Sequence, residues 1–217
     1  LFSSAASDVY KRQALGNAAQ EMGVRTSGEE IQVYLTSAYT AYNQITQLYS
    51  WQQQPEHWAS AQVGRGAVLS DLGTRVEGEQ GAQLLVDAIV AFDSALVVRT
   101  RKRLPQQWAG TQNNKGNVLS DLGTRVGGEQ GMQYLADAVV AYDSALVVRV
   151  YEFLPVGWAQ THFNLARTCA ALRDWPRAAK SYSNVLKVYL RNQEAYQSAS
   201  YLYHEILFEY DLSLIHI

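Results

Sequence analysis

Chemistry in this chain could reside in four kinds of residue: its histidines, its one cysteine, its recurring carboxylates and its glycine-rich turns. The turns Gly73-x4-Gly78-x2-Gly81 and Gly123-x3-Gly127-Gly128-x2-Gly131 have the glycine density of a phosphate loop. Neither is followed by Lys-Ser or Lys-Thr and neither follows a strand pattern, so a cradle of backbone amides would have no frame. Helix-ending turns account for these glycines better. His57, His162, His204 and His216 have no second ligand at metal spacing, apart from His204 beside Glu205. Neighbours on a helix diverge by about 100°, so that pair does not converge on an ion. Cys169 falls on the apolar stripe of its helix and reads as a small core residue; a nucleophile would need a base in an electropositive setting. Asp93 and Asp143 are copies of one solvated position, and carboxylates one repeat apart cannot meet across one substrate. The expectation is a non-enzymatic protein with no cofactor and no metal.

Composition bounds the remaining possibilities. The 217 residues are 47% apolar and 18% charged, enough to bury a core and too apolar for a disordered chain. Eighteen Lys and Arg against 20 Asp and Glu leave a charge of −2, which argues against a nucleic-acid partner held through many phosphate contacts. One cysteine excludes an internal disulfide framework. No stretch approaches the roughly 20 apolar residues of a membrane span, so no membrane partner is expected. A soluble, cytoplasmic, helical protein is the reading.

An internal repeat organises everything else. Trp58, Trp108 and Trp158 stand 50 residues apart, and Pro55, Pro105 and Pro155 keep the same step. Residues 69–76, Leu-Ser-Asp-Leu-Gly-Thr-Arg-Val, recur unchanged at 119–126, and 93–99 recur at 143–149. One step earlier, Gly16, Gly23, Ala38, Ala41 and Tyr42 fall on Gly66, Gly73, Ala88, Ala91 and Phe92, a degenerate first unit. Matching begins near Leu15. The runs 4–13 and 212–217 resemble translated sequencing-adapter read-through of the kind found in metagenomic assemblies. Segments 1–13 and 211–217 are therefore expected to be non-native, the chain a fragment truncated inside its first helix.

Each unit reads as helix, glycine-rich turn, helix. Pro105 suits a first helical turn. Trp108, Gln112, Lys115 or Gly116, Leu119 and Leu122 then recur at three- and four-residue steps. Gly123 follows as a helix-ending residue tolerant of positive φ, and Glu129 opens the second helix at the positive end of its dipole. Tyr134, Leu135, Ala138, Val139, Tyr142, Ala145, Leu146 and Arg149 mark that helix's face, and small Gly116 and Ala138 let the two helices approach closely. One such pair cannot bury both its faces, so the units must stack. The fold expected is all-α, a solenoid of stacked antiparallel helix pairs.

At Gly116, Ala138 and Tyr142 the pattern resembles the tetratricopeptide repeat. Leu165, Ala166, Cys169, Ala178, Tyr182 and Val185 sit on that family's steps in its usual 34-residue form. Earlier units carry about ten extra residues between the markers, as in an expanded bacterial subset of these repeats. The resemblance covers residues 14–210, in units 14–54, 55–104, 105–154, 155–190 and a partial 191–210 where Tyr196, Ala199, Ser200 and Tyr203 suggest a fifth first helix. Arg65 and Lys115 depart from it, standing where the family has Leu. Either their stems pack and their heads snorkel to the rim, or they mark a basic contact site.

The resemblance implies a right-handed superhelix whose first helices line a concave groove holding a partner's peptide. Opposite Trp108 and Leu119 lie Gly110, Asn113, Asn117, Ser120 and Asp121; the second unit offers Ser70 and Asp71, the fourth Phe163 and Arg167, the first Asn17 and Glu21. Asparagine amides can bond a peptide backbone whatever its sequence, and Phe163 could anchor an apolar side chain. Glu21, Asp71 and Asp121 share one position and would steer a basic segment. The family's clamp for acidic C-terminal peptides lacks its Lys here, Asn113 standing in its place. An interaction scaffold with a protein or peptide partner is thus expected. The alternative is a sensory or oligomerising arm of a larger signalling protein whose effector domain lies elsewhere. An RNA-binding array would have only Asn113 and Asn117 to recommend it. Open end faces would also permit self-association.

Overall fold

A computed structural model describes residues 2–25 and 29–189, with side chains described for 11–22 and 30–188. The suggested fifth helix, with Tyr196, Ala199, Ser200 and Tyr203, and the tail at 211–217 lie outside the described residues. Eight helices and no strand occur among the described residues: α1 (Phe2–Arg25), α2 (Glu29–Leu48), α3 (Pro55–Arg75), α4 (Gly78–Val98), α5 (Pro105–Val126), α6 (Gly128–Leu146), α7 (Pro155–Ala171) and α8 (Trp175–Tyr189). They pair as α1 with α2, α3 with α4, α5 with α6 and α7 with α8, and each second helix packs on the first helix of the next pair. The chain is an α-solenoid. Its first helices also touch one another, α1 on α3, α3 on α5 and α5 on α7, while successive second helices make no comparable contact. The stack therefore closes up on the side of its first helices and spreads on the side of its second.

Pro55, Pro105 and Pro155 each open a first helix, where a missing N–H breaks no helical bond. The second helix of each long unit drives an aromatic into the first helix at a glycine. A Cβ on Gly16 would stand 2.9 Å from the Tyr42 ring, on Gly66 3.0 Å from Phe92, and on Gly116 2.7 Å from Tyr142. Those three rings are nearly inaccessible to solvent. Around them Leu85, Ala88, Val118 and Leu122 form one core layer, and Leu119, Ala138, Leu165 and Cys169 the next. Burying a ring of this size is worth roughly 1.5–3 kcal/mol, so the glycine positions are as much part of the core as the aromatics.

The ten extra residues of the long units lengthen helices rather than loops. α5 runs ten residues past Gly116, whereas α7 runs five past the matching Ala166; α6 starts ten before Ala138, α8 three before Ala178. Gly123 does not end its helix, contrary to the sequence expectation, because α5 continues to Val126. A Cβ there would meet the Gly131 carbonyl and the Leu135 side chain at 2.8 Å, so the glycine serves close approach of α6. Positive φ belongs instead to Gly78, Gly127 and Gly128. α1 runs unbroken from Phe2, so residues 2–13 are continuous in backbone with the repeat-matching residues after them. One further correction concerns α4: by length and composition it is apolar enough to cross a membrane. In the solenoid Leu85, Ala88, Ala91, Phe92 and Ala95 bury its apolar face.

Candidate functional site

The long and short units meet at a step. By the 50-residue register α7 ends opposite position 121, so the last turn of α5 overhangs it. A cleft of about 740 Å³ opens there, on the side of the first helices, between α3, α5 and α7. Four of the residues singled out from sequence line it: Asn117, Ser120, Asp121 and Arg167. Asn164 and Arg125 complete the polar wall.

Hydrogen bonds hold this wall in place. Tyr142 Oη donates to Asn117 Oδ1 at 2.9 Å, and Asn164 Nδ2 donates to the same oxygen at 2.9 Å. Ser120 and Thr168 share a hydroxyl bond of 2.9 Å across α5 and α7. Arg125 reaches back to the end of α3, donating through Nη2 to the Thr74 carbonyl at 3.2 Å and through Nη1 to that of Val76. A guanidinium on the orphan carbonyls of a helix C-terminus answers both their bonding and the dipole. Asp121 stands at the rim without a hydrogen bond among the described residues. The surrounding protein raises its carboxyl above the usual range, and the Arg167 and Arg125 charges only partly offset this. Burial likewise pushes the Tyr142 phenol up, so it remains a neutral donor.

The other sequence candidates are placed differently. Asn113 is 3% exposed and does not face a groove; its Oδ1 accepts the Thr161 hydroxyl at 3.0 Å between α5 and α7. Stacking covers it, so it bonds a neighbouring unit in place of a ligand. Phe163 is half-buried, its ring edge-on to Tyr182 with centroids 6.2 Å apart and the Arg167 guanidinium 6.0 Å from its centre. Asn17 is exposed and accepts from Tyr42 Oη at 2.7 Å. Asp71 accepts from Gln20 Nε2 at 3.2 Å, and burial raises its carboxyl, with Gln20 and Arg75 opposing. Ser70 is half-buried beside it on α3, and Glu21 is exposed on α1. The three carboxylates therefore share a helix face, but only Asp121 belongs to the cleft.

Two charged positions take on meaning from the stack. Lys115 Nζ bonds Asp93 Oδ1 at 2.6 Å, and Arg177 Nη2 bonds Asp143 at 2.6 Å. Asp93 and Asp143 are thus not merely solvated: each receives a cation from the following unit. Arg99 and Arg149 form a second series, Arg99 bonding Ser60 and Thr111 at 3.0 and 3.2 Å, Arg149 bonding Thr161 at 2.9 Å. In the sequence Arg149 marks only a helix face, and no spacing there sets Asn164 or Arg125 apart. Exact recurrence of residues 69–76 at 119–126 hid the difference between Arg75, which bonds its own helix at the Asp71 carbonyl, and Arg125.

Among the described residues no three His, Cys, Asp or Glu side chains gather closely enough to hold a metal ion. Cys169 is buried and its thiol is pushed up to about 11 by burial, a protonated core group. The cleft offers amides, hydroxyls and charges of both signs, a surface for recognition. The sequence matches no family model, and no curated protein is significantly similar to it.

Proposed function

We propose that this chain is a protein–protein interaction scaffold of the tetratricopeptide-repeat kind, holding an extended peptide segment of a partner along its first helices. The observation that carries this reading is the open cleft at the α5–α7 step, where polar groups fixed by their own bonds converge on one side of the solenoid. Preorganised donors and acceptors lower the ordering cost of binding. Asp121, exposed at the rim and without a hydrogen bond among the described residues, favours a cationic side chain on the partner, and such a contact would weaken with salt.

A random-peptide display selection on the full chain, repeated with Asp121→Asn and Asp71→Asn, tests the reading. A basic consensus that weakens in Asp121→Asn and survives Asp71→Asn is the expected result. Enrichment indifferent to both substitutions would move the site away from the cleft. No enrichment from folded protein would favour the sensory or oligomerising arm.

A further inference from the structure

The turns that join one unit to the next repeat with the same geometry. The Gln54 amide bonds the Ser50 carbonyl at 3.1 Å, Leu104 bonds Thr100 at 2.9 Å, and Leu154 bonds Val150 at 2.9 Å. Tips 51–53, 101–103 and 151–153 therefore project alike from one edge of the solenoid. Arg103 Nη2 lies 3.3 Å from Glu56 Oε1 at the start of α3, which sets the second tip beside the first. What the tips carry differs sharply. Trp51 is 52% exposed, Phe153 81% and Val156, just after the third tip, 71%. Between these apolar ends stand Arg101, Lys102 and Arg103, all exposed. The opposite edge, where the first helix turns into the second, carries charges of both signs, Glu77, Glu79 and Glu129 with Arg75 and Arg173. One edge thus carries a basic triad, with the exposed carboxylates Glu56 and Glu152 beside it, and the most exposed aromatic among the described residues.

We infer that this edge docks on an anionic lipid surface. Large apolar side chains on protruding turn tips need a partner that deforms around them, as the headgroup and acyl boundary does; a rigid protein would need a matching pocket for each. Trp and Phe partition favourably into that boundary, while Arg and Lys are drawn to acidic headgroups. Neither signal alone holds a protein firmly, and here both occur on one edge. Three exposed cations, one already paired to Glu56, are few for tracking a nucleic-acid backbone, which favours lipid over RNA. The edge lies away from the cleft, so this inference stands independently of the peptide-binding reading.

Vesicle co-sedimentation of the full chain tests it, with phosphatidylcholine alone and with an equal mixture of phosphatidylcholine and phosphatidylserine. Binding to the mixed vesicles and little to the neutral ones is expected. Neutralising two cations in Arg101→Gln with Lys102→Gln should lower the partition coefficient roughly 25-fold, about fivefold per charge. Phe153→Ser should weaken binding at unchanged charge, and its high exposure means the fold should survive, as circular dichroism would verify. Failure of the unaltered chain to bind mixed vesicles overturns the proposal, as does binding indifferent to all three substitutions. Retention of a single-stranded RNA in the absence of vesicle binding would overturn it in favour of a nucleic-acid edge.

Discussion

At the scale of single residues, the buried aromatic of each long unit shows how strictly polar groups are matched. Tyr42 bonds Asn17 and Tyr142 bonds Asn117, both across 25 residues, whereas the middle unit has Phe92 and Ala67 at the same places. Hydroxyl and amide are present together or absent together, because a buried hydroxyl without a partner costs about 1–3 kcal/mol. Phe92→Tyr should therefore destabilise by that amount, and adding Ala67→Asn should recover at least half; urea midpoints for the two singles and the double would reveal the coupling, and additive effects would sink the idea. His162 makes a second case. Burial, aided by Lys187 and Lys180 and opposed by Asp143, lowers it to about 4. The unfolded imidazole takes a proton near pH 6.5 while the folded one does not, so stability falls as pH drops from about 6.5 toward 4. His162→Gln, which installs the residue found at 62 and 112, should flatten that part of the pH profile. An unchanged slope of urea midpoint between pH 7 and 5 would count against this assignment.

At the scale of helices, the glycines before and after each turn do different work. Gly78 has φ +69° with open space around it, whereas a Cβ on Gly81 would stand 1.8 Å from the Val76 carbonyl oxygen and 2.0 Å from Arg125 Nη1. Gly81→Ala should destabilise by at least about 2 kcal/mol, through overpacking and loss of the Arg125 cap on α3. Gly78→Ala should cost about 1 kcal/mol, the strain of a left-handed residue. Thermal melts of the two variants would decide, and equal losses would show that conformation rather than contact governs both. The sequence made the helix pairs legible through proline, tryptophan and small-residue spacing. It could not tell a glycine that ends a helix from one that admits a neighbour, since both roles leave the same letter. Gly123 is the case in point: it lies inside α5 and admits α6.

For the whole molecule, each pair touches only its neighbours, so stability is shared unit by unit. Interior helices are covered on both sides. Amide exchange should accordingly be slowest in α4, α5 and α6 and faster in α1, a gradient that mass spectrometry of peptic fragments would detect. A single exchange rate throughout would instead mean that the array opens as one body.

The 50-residue period by itself determined the all-helical, stacked architecture, because a helix pair with apolar residues on both faces can be buried only by more pairs like it. The first-helix positions Asn117, Ser120, Asp121 and Arg167, which line the cleft, came from the resemblance to the tetratricopeptide repeat and not from the period. Only the tertiary structure decided which of those positions stay open. Asn113 and Asn117 are one helical turn apart and chemically alike, yet α7 seals the first and leaves the second half-buried at the cleft wall. That difference comes from how α7 lies against α5, a property of two units packed together. For the same reason Lys115 found Asp93 and Arg125 found the end of α3: partners one repeat apart in sequence become adjacent only when the solenoid stacks.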